Sequence, residues 1–486
     1  MELYKLLQDF EYLAKGNIAE NVQNLSHNSK EENANGVFFA IDGTTNQGLD
    51  FVEEAISKGA KVIVSSKKIE DLPEDVTNIV TSDVRKAMSL MASRFYSLPS
   101  EQMYMIGVTG TNGKTTSTYM LKSIFESEGR KVGVIGTNGI CFADKKLDSS
   151  MTTPDPIYLQ KVLREMADNG VEIVCMEMSA HALELQKNWG IMFDVALFTN
   201  LTQDHLDFFE DMQSYAKAKA KLFSPLASKK AVINIDDSFG KVLLENCKIP
   251  ALTISLDKEK GADFTAMNIV DNGTSQEFGL SVGKYLLPIK LNLGGEFNVS
   301  NCLGAMACAY IYGSSLRNIV EGVEKLKEVE GRFNCYMING VKVVIDFAHT
   351  PDGLENILSA CKKQTQGKLI SVFGCGGNRD SDKRPKMGLI SSSLADFSII
   401  TNDNPRFEKP EDIAKDIEKG MPPCSPYSIV LDRKRAIRLA ISMADKGDTV
   451  VIAGKGAEGY IDALGVKTPY SDKAVVENII KELELK

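Results

Sequence analysis

The sequence predicts an α/β protein of more than one domain, framed by parallel sheets. Three observations carry that expectation. Short apolar runs recur along the chain, and each ends in a cluster of Gly, Asn, Asp, Thr or Lys before a stretch of helical spacing, the pattern of strand, loop and helix repeats. One such run, Met105–Val108, leads into Thr109-Gly110-Thr111-Asn112-Gly113-Lys114-Thr115-Thr116 and has the form of a strand, phosphate loop and helix. The length, 486 residues, exceeds what one hydrophobic core organises, so two to four domains are expected.

Composition narrows the class. Hydrophobic residues at 43% and charged residues at 25% describe a globular chain. A net charge of −9 argues against nucleic acid as a standing partner, because binding a phosphate backbone needs a basic surface. The nine cysteines are scattered with no C-x-x-C pair, which reads as reduced thiols rather than a disulfide framework or a zinc site. The N-terminal MELYKLLQDFEY is not a basic-then-apolar leader, and no apolar run reaches membrane length. A cytoplasmic protein without a membrane partner is expected, and a monomer.

Taken in order, residues 1–100 read as a small α/β domain. Gly36–Ile41 and Ala60–Val64 are its strands, 50–58 and 83–96 its helices, and Pro99-Ser100 a linker. The polar loop 42–48 is either a turn or a lip that holds part of a substrate. Residues 101–335 begin with the phosphate loop. Strands follow at Lys131–Ile135, Val171–Met176, Val195–Phe198 and Ala231–Ile235, with an antiparallel flap over 262–293 and a helix over 302–311 opened by Phe297 and Asn298. Residues 336–486 repeat the rhythm. The strands Val341–Ile345, Lys368–Phe373, Phe397–Ile400 and Thr449–Ile452 each run into a polar loop, so one edge of a second parallel sheet collects Asp346–His349, Gly374–Asp380, Asn402–Arg406 and Gly454–Glu458.

The chemistry starts at the phosphate loop. Gly110 and Gly113 let backbone N–H groups turn toward phosphate oxygens, Lys114 supplies a mobile positive charge, and Thr115 offers a hydroxyl to Mg2+. The pattern is a variant, since Val108 stands where the strict motif has its first glycine. Glu177, at the end of an apolar strand, is either a solvated strand end or a carboxylate reaching the same metal. Asp204-His205 reads equally as a helix cap with a histidine in the first turn, or as a histidine beside a second metal or the transferred phosphoryl group. In Lys217-Ala-Lys219-Ala-Lys221, Lys217 and Lys221 share a helix face while Lys219 points elsewhere.

Taken together, Gly110–Thr116, Glu177-Met-Ser179, Thr199-Asn-Leu201 with Asp204-His-Leu-Asp207, Asn298, Gly331-Arg332 and Asp346-Phe-Ala-His349 resemble the Mur ligases, the ATP-dependent amino-acid ligases of peptidoglycan precursor synthesis. The marks run in family order along the whole chain. Thr152-Thr153-Pro154, Gly374-Cys-Gly-Gly377 with Lys383-Arg-Pro385, Asp403-Asn404-Pro405-Arg406 and Gly454-Lys-Gly456 with Glu458 resemble the branch of that family that adds the third residue of the peptide.

The resemblance implies a three-domain Mur ligase architecture: a UDP-sugar domain over 1–100, a central phosphate-loop parallel-sheet ATPase domain over 101–335, and a Rossmann-like amino-acid-binding domain over 336–486. It implies ATP and Mg2+, with UDP-N-acetylmuramoyl-L-alanyl-D-glutamate as acceptor and meso-diaminopimelate or a close analogue, lanthionine or L-lysine, as donor. Ser29, Thr152, Thr153, Ser179 and Lys187 would hold the UDP-sugar dipeptide. Gly110, Thr111, Asn112, Gly113, Lys114, Thr115, Thr116, Asn298, Arg332 and Asp346 would hold the nucleotide. Lys114, Glu177, His205 and Lys219 would be catalytic, with Thr115, Glu177, His205 and Lys219 about the metal and Lys219 carried as N6-carboxylysine. Arg379, Asp403, Asn404, Pro405, Arg406, Gly454 and Glu458 would form the amino-acid site. Arg406 would pair with the distal carboxylate that diaminopimelate has and lysine lacks, a task suited to a guanidinium fork. A folylpolyglutamate synthase shares the phosphate loop but lacks a domain like the first hundred residues, and a nucleotide-gated scaffold would not need Glu177, His205 and Lys219 together.

Overall fold

The computed structural model describes residues 1–43, 46–149 and 151–484. Thr44 and Thr45 of the loop expected over 42–48 lie outside the described residues. Tertiary contacts divide the chain into two units, each taken by itself below. The first comprises Met1–Gly107, Arg130–Ala196 and Lys221–Lys230, and the second Val108–Gly129, Leu197–Ala220 and the residues from 231 onward.

In the first unit, a five-stranded sheet runs in the order Leu13–Lys15, Thr77–Val80, Ala60–Ser65, Gly36–Phe39, Asn24–Ser26. All pairings are parallel except that of the edge strand Leu13–Lys15. Strand residues are buried on both faces in alternation. Val37, Phe39, Val62, Val64 and Ile79 pack against Leu3, Leu6, Ala87 and Met91, while Phe38, Ala40 and Ile63 pack against Val52 and Ala55. The helix Val84–Phe95 starts where the Asp83 carboxylate accepts from the Lys86 N–H. Ser89 and Ser93 on that helix donate to the carbonyls of Gln186 and Gly190 at 2.9 and 3.0 Å, tying residues 186–190 to it. Ile173–Glu177 pairs in parallel with Val132–Gly136, which continues antiparallel through Gly139–Phe142 and Lys145–Leu147.

In the second unit, Lys114–Ser127 follows the phosphate loop and packs against the helices Phe297–Tyr312 and Leu316–Lys325. The approach to the last is close enough to demand glycine: a Cβ on Gly322 would sit 2.4 Å from Ile124 Cα. The helix expected from 302 begins at Phe297. The expected flap is an antiparallel meander of Phe264–Asp271, Gln276–Val282 and Tyr285–Leu291, joined through Ala251–Ser255 to parallel strands.

The unit also holds a six-stranded sheet in the order Asn334–Ile338, Val341–Asp346, Thr449–Ala453, Leu369–Phe373, Phe397–Ile400, Tyr427–Ile429, parallel except at its first strand. Helices cover both faces. Val344, Phe373, Ile400 and Val451 meet Leu354, Met387 and Ile413, whereas Val343, Ile345, Val372 and Ile452 meet Ile437 and Val476. A short hairpin, Tyr460–Ala463 with Val466–Pro469, follows.

Arg433 and Asp472 form a fully buried fork in this unit, Nε to Oδ1 and Nη2 to Oδ2 both at 2.8 Å. The guanidinium also donates to the Ala453 and Asn402 carbonyls at 2.9 and 3.3 Å. Asp472→Ala strands that cation. It should destabilise the unit by about 3–5 kcal/mol, whereas Lys362→Met, in an exposed pair with Asp396, should cost less than about 1 kcal/mol. Comparing the two denaturant midpoints checks the contrast.

Candidate functional site

The phosphate loop lies in the second unit. Gly113 takes φ +88° at the start of the helix Lys114–Ser127, and a Cβ there would lie 2.1 Å from Asn301 Oδ1, so only glycine fits. The Lys114 ammonium bends back over the loop and donates to the Gly110 and Thr111 carbonyls at 2.9 and 2.7 Å. The loop is fixed from outside. Thr111 N–H donates to Asn200 O at 2.9 Å, Asn112 N–H to Asn200 Oδ1 at 2.9 Å, and Thr199 Oγ1 to Asn112 O at 2.6 Å. Thr115 and Thr116 are buried in the first helical turn. Thr115 Oγ1 accepts from Arg332 Nη2 at 2.8 Å, and the guanidinium lies 4.3 Å over the Phe347 ring. Asn298 is buried and accepts from Asn301 Nδ2 at 3.1 Å, while its own amide donates to Gly294 O. Asp346 ends its strand by accepting from the Phe333 and Ala348 N–H groups at 2.8 Å each. Burial pushes its carboxyl up, with Arg332 opposing.

Lys219 is fully buried on the helix Met212–Ala220, while Lys217 and Lys221 are exposed, as the spacing predicts. Its Nζ donates to Gly110 O at 2.8 Å and lies 4.4 Å from the Tyr215 ring centroid. Burial, with repulsion from Lys114, holds this amine well below the usual lysine range, and Asp204 opposes. Burial therefore weakens the hold of this amine on its proton.

Asp204 corrects an expectation. It caps no helix, because residues 201–211 are irregular and the next helix starts at Met212. It is instead a buried hub. Its carboxylate lies 3.2 Å from His205 Nε2, 3.7 Å from His349 Nε2 and 3.8 Å from Lys383 Nζ. Burial alone would raise its pKa, but His349, His205 and Lys383 hold it well below the usual carboxylate range. His205 has φ +58°, off the helical region. Sequence reasoning gave no role to Asp204 beyond a cap, and none to His349. The available signal was scarcity: two of only four histidines meet on this carboxylate.

The loops at the edge of the six-stranded sheet gather around Asn404. Its Nδ2 donates to Glu458 Oε2 at 2.8 Å, and its N–H to Asp403 Oδ1 at 2.6 Å. Asp403 is buried; burial works to raise its carboxyl, but Lys455 and Arg433 bring it below the usual range. Gly454, at φ +116°, leaves room for it: a Cβ would come 2.8 Å from Asp403 Oδ2. Pro405 places its carbonyl where a Cβ on Gly377 would collide at 2.0 Å. Arg406 Nη1 donates to Gly377 O at 2.8 Å. Arg379 is apart from this group in its bonding, half-exposed and 3.6 Å from Asp207.

In the first unit, Glu177 is buried, which overturns the solvated strand end. Thr137 N–H and Oγ1 donate to its two oxygens at 2.9 and 3.0 Å, and a Cβ on Gly136 would lie 2.1 Å from Oε1. Thr152 Oγ1 lies 3.1 Å from Thr137 Oγ1, and Thr153 Oγ1 donates to Glu177 O at 2.8 Å while accepting from Ser179 N–H at 3.1 Å. Ser179 caps the helix Ala180–Glu184. Lys187 is buried, paired with Asp155 at 2.8 Å. Ser29 is buried with its hydroxyl on Glu54. These residues form one polar cluster apart from Ser29, which sits on its own contact.

Among the described residues no group of three or more His, Cys, Asp and Glu converges as a metal site, and no helix is long and apolar enough to cross a membrane. Mg2+ takes hard oxygen ligands. Thr115 has a hydroxyl oxygen at the loop, and Lys219 would offer oxygen only as a carbamate. On those terms the donor chemistry fits.

A strand running into a glycine-bounded lysine loop at a helix N-terminus defines a phosphate-loop nucleotide-binding α/β protein. Comparison narrows the class. Residues 21–96 match the model of the Mur ligase family catalytic domain, 108–309 the Mur ligase middle domain and 331–456 the Mur ligase glutamate ligase domain. The chain is 44% identical over 99% of its length to UDP-N-acetylmuramoyl-L-alanyl-D-glutamate--2,6-diaminopimelate ligase 1 of Clostridium acetobutylicum, covering all of it. The corresponding ligase of Clostridium tetani is 41% identical over 99% of this chain and 100% of its own. A solved structure of a UDP-N-acetylmuramoyl-L-alanyl-D-glutamate--2,6-diaminopimelate ligase aligns with a TM-score of 0.71 at 30% identity, over 100% of this chain and 99% of that one. The chain belongs to the Mur ligase family, and its architecture is the three-domain α/β one of that family.

Proposed function

We propose that this chain joins 2,6-diaminopimelate, in its meso form, to the D-glutamate carboxylate of UDP-N-acetylmuramoyl-L-alanyl-D-glutamate, converting ATP to ADP and phosphate. The observation that carries the reading is end-to-end likeness, 44% over 99% of the chain, to a ligase named for that reaction. In our reading, residues 1–100 with Thr152, Thr153, Ser179 and Lys187 hold the UDP-sugar dipeptide, 101–335 hold ATP, and 336–486 hold the amino acid.

One of the two free carboxylates of the D-glutamate residue attacks the γ-phosphorus, ADP leaves, and an acylphosphate forms. Lys114 moves from the loop carbonyls to the phosphoryl oxygens and balances the charge that develops there. Mg2+, when bound, supplies further neutralisation of those oxygens, and Thr115, Glu177, His205 and Lys219 are its proposed holders. The neutral amine of diaminopimelate then attacks the acyl carbon, and the tetrahedral intermediate expels phosphate, which is basic enough to accept the proton the amine gives up. Arg406 receives the distal carboxylate and Glu458 the distal ammonium.

Lys219 is proposed to act as its carbamate. The reaction of its neutral amine with carbon dioxide forms an N–C bond, releases one proton and turns a buried cation site into an anion. Protein equilibrated with 13C-bicarbonate should show one carbamate resonance that Lys219→Met removes; a spectrum unchanged by that substitution would exclude the modification. The function itself is tested by a mass-resolved product assay with competing diaminopimelate, lanthionine and lysine. The diaminopimelate tripeptide should dominate, with one phosphate released per amide. A protein that makes no amide from these substrates overturns the reading.

A further inference from the structure

We propose that Lys455 sets the amino-acid selectivity of this ligase, by balancing Glu458 so that a side chain ending in a lone ammonium gains little there. The inference rests on the reading that the Asp403–Arg406 and Gly454–Glu458 loops receive the distal end of the amino acid. Lys455 has no part in the chemistry above, yet it is a lysine with no exposed surface at the centre of those loops. Its ammonium donates to Asn404 Oδ1 at 3.1 Å and pairs with Glu458 Oε2.

Those contacts fix two side chains. Asn404 Oδ1 takes donors from Lys455 and from the Asp462 N–H at 2.9 Å, which turns the amide nitrogen toward Glu458. Glu458 Oε2 therefore accepts from both Lys455 and Asn404, while the side chain keeps about a fifth of its surface exposed. Other polar groups here are engaged, although Asp462 Oδ1 is buried without a hydrogen-bond partner. Arg433 is committed to Asp472, Asp403 faces Lys455 and Arg433, Arg406 rests on the Gly377 carbonyl, and the Tyr460 hydroxyl lies beside Glu458.

A lone ammonium arriving at Glu458 thus meets a carboxylate that already has its counter-ion. A zwitterionic end brings a carboxylate as well, and the fields of Arg406 and Lys455 both favour it. Removing the Lys455 charge makes the pocket more negative by one unit, which helps a lone ammonium and weakens the hold on the carboxylate. One charge at about 5–8 Å, at an effective dielectric near 20, is worth tenfold or more in preference. A residue that only filled space would change both substrates alike.

The test uses the full-length protein with saturating ATP and UDP-sugar dipeptide, and three amino acids: meso-diaminopimelate, L-lysine, and 2-aminopimelate, which keeps the distal carboxylate but has no distal ammonium. In the unaltered protein 2-aminopimelate should be used better than lysine. In Lys455→Met the kcat/KM ratio of diaminopimelate to lysine should fall at least tenfold with the KM for ATP unchanged, and Lys455→Arg, which keeps the charge, should hold the ratio near its original value. Equal losses for both amino acids in Lys455→Met overturn the proposal. Should that variant not fold, the unaltered protein decides, and lysine used as well as or better than 2-aminopimelate overturns it. A protein that forms no amide with any of the three overturns the functional reading itself, which is a different outcome from an unchanged ratio.

Discussion

Replacing Lys114 by methionine should slow ligation about a thousandfold while leaving the fold intact. Its ammonium is the one mobile charge in the loop, held by two carbonyls that a phosphoryl oxygen can displace. Removing a single charge-stabilising group of this kind costs on the order of 10²–10³ in rate. A second effect adds to it. Lys114 adds to burial in weakening the hold of Lys219 on its proton, so without it Lys219 should hold that proton more tightly and, on the proposed carbamate, show a weaker 13C signal. Single-turnover transfer of the γ-phosphoryl group, measured beside a thermal melt, checks the expectation. A loss smaller than about tenfold in a folded variant would contradict the role given to Lys114.

Arg406→Ala should reduce kcat/KM for diaminopimelate about a hundredfold and change lysine little. Losing one partner of a hydrogen-bonded charge pair costs about 2–5 kcal/mol. The structure holds this residue in place on three sides. Its backbone sits at φ +50°, its N–H donates to Asp462 O at 3.0 Å, and its carbonyl accepts from Leu464 N–H at 2.7 Å. The guanidinium passes over Gly376, where a Cβ would lie 2.8 Å from Nη1. Equal losses with both amino acids would remove Arg406 from the distal carboxylate. The expected pattern differs from that of Lys455→Met, in which lysine is favoured in relative terms by a gained negative field rather than by loss of a carboxylate partner.

The parts legible in the sequence are those in which local signals agree. The strands Val341–Asp346, Leu369–Phe373 and Thr449–Ala453 are largely apolar and end in polar loops, so their parallel sheet and the edge at which those loops gather can be read directly. Lys219 could be singled out because helical spacing alone separates it from Lys217 and Lys221. The strand Leu13–Lys15 could not be foreseen, since it is three residues long and fully exposed. The Asp204 hub stayed hidden because its partners come from the adjacent residue and from positions 349 and 383, and nothing local marks that convergence. For the same reason Glu177 showed as a strand end, while the Thr137 contacts that bury its charge come from forty residues away. The hairpin that seats Arg406 carries little apolar pattern, with Val466–Pro469 exposed throughout. Its task is to hold a loop rather than to build a core.

The most direct test follows oxygen. A UDP-sugar dipeptide carrying 18O in both carboxylates of its D-glutamate is turned over with ATP and diaminopimelate, and the released phosphate is analysed by mass. Attack of one of those carboxylates on the γ-phosphorus, followed by attack of the amine on carbon, places one 18O in each phosphate. Phosphate free of label, with the amide formed, would contradict acylphosphate chemistry at this site.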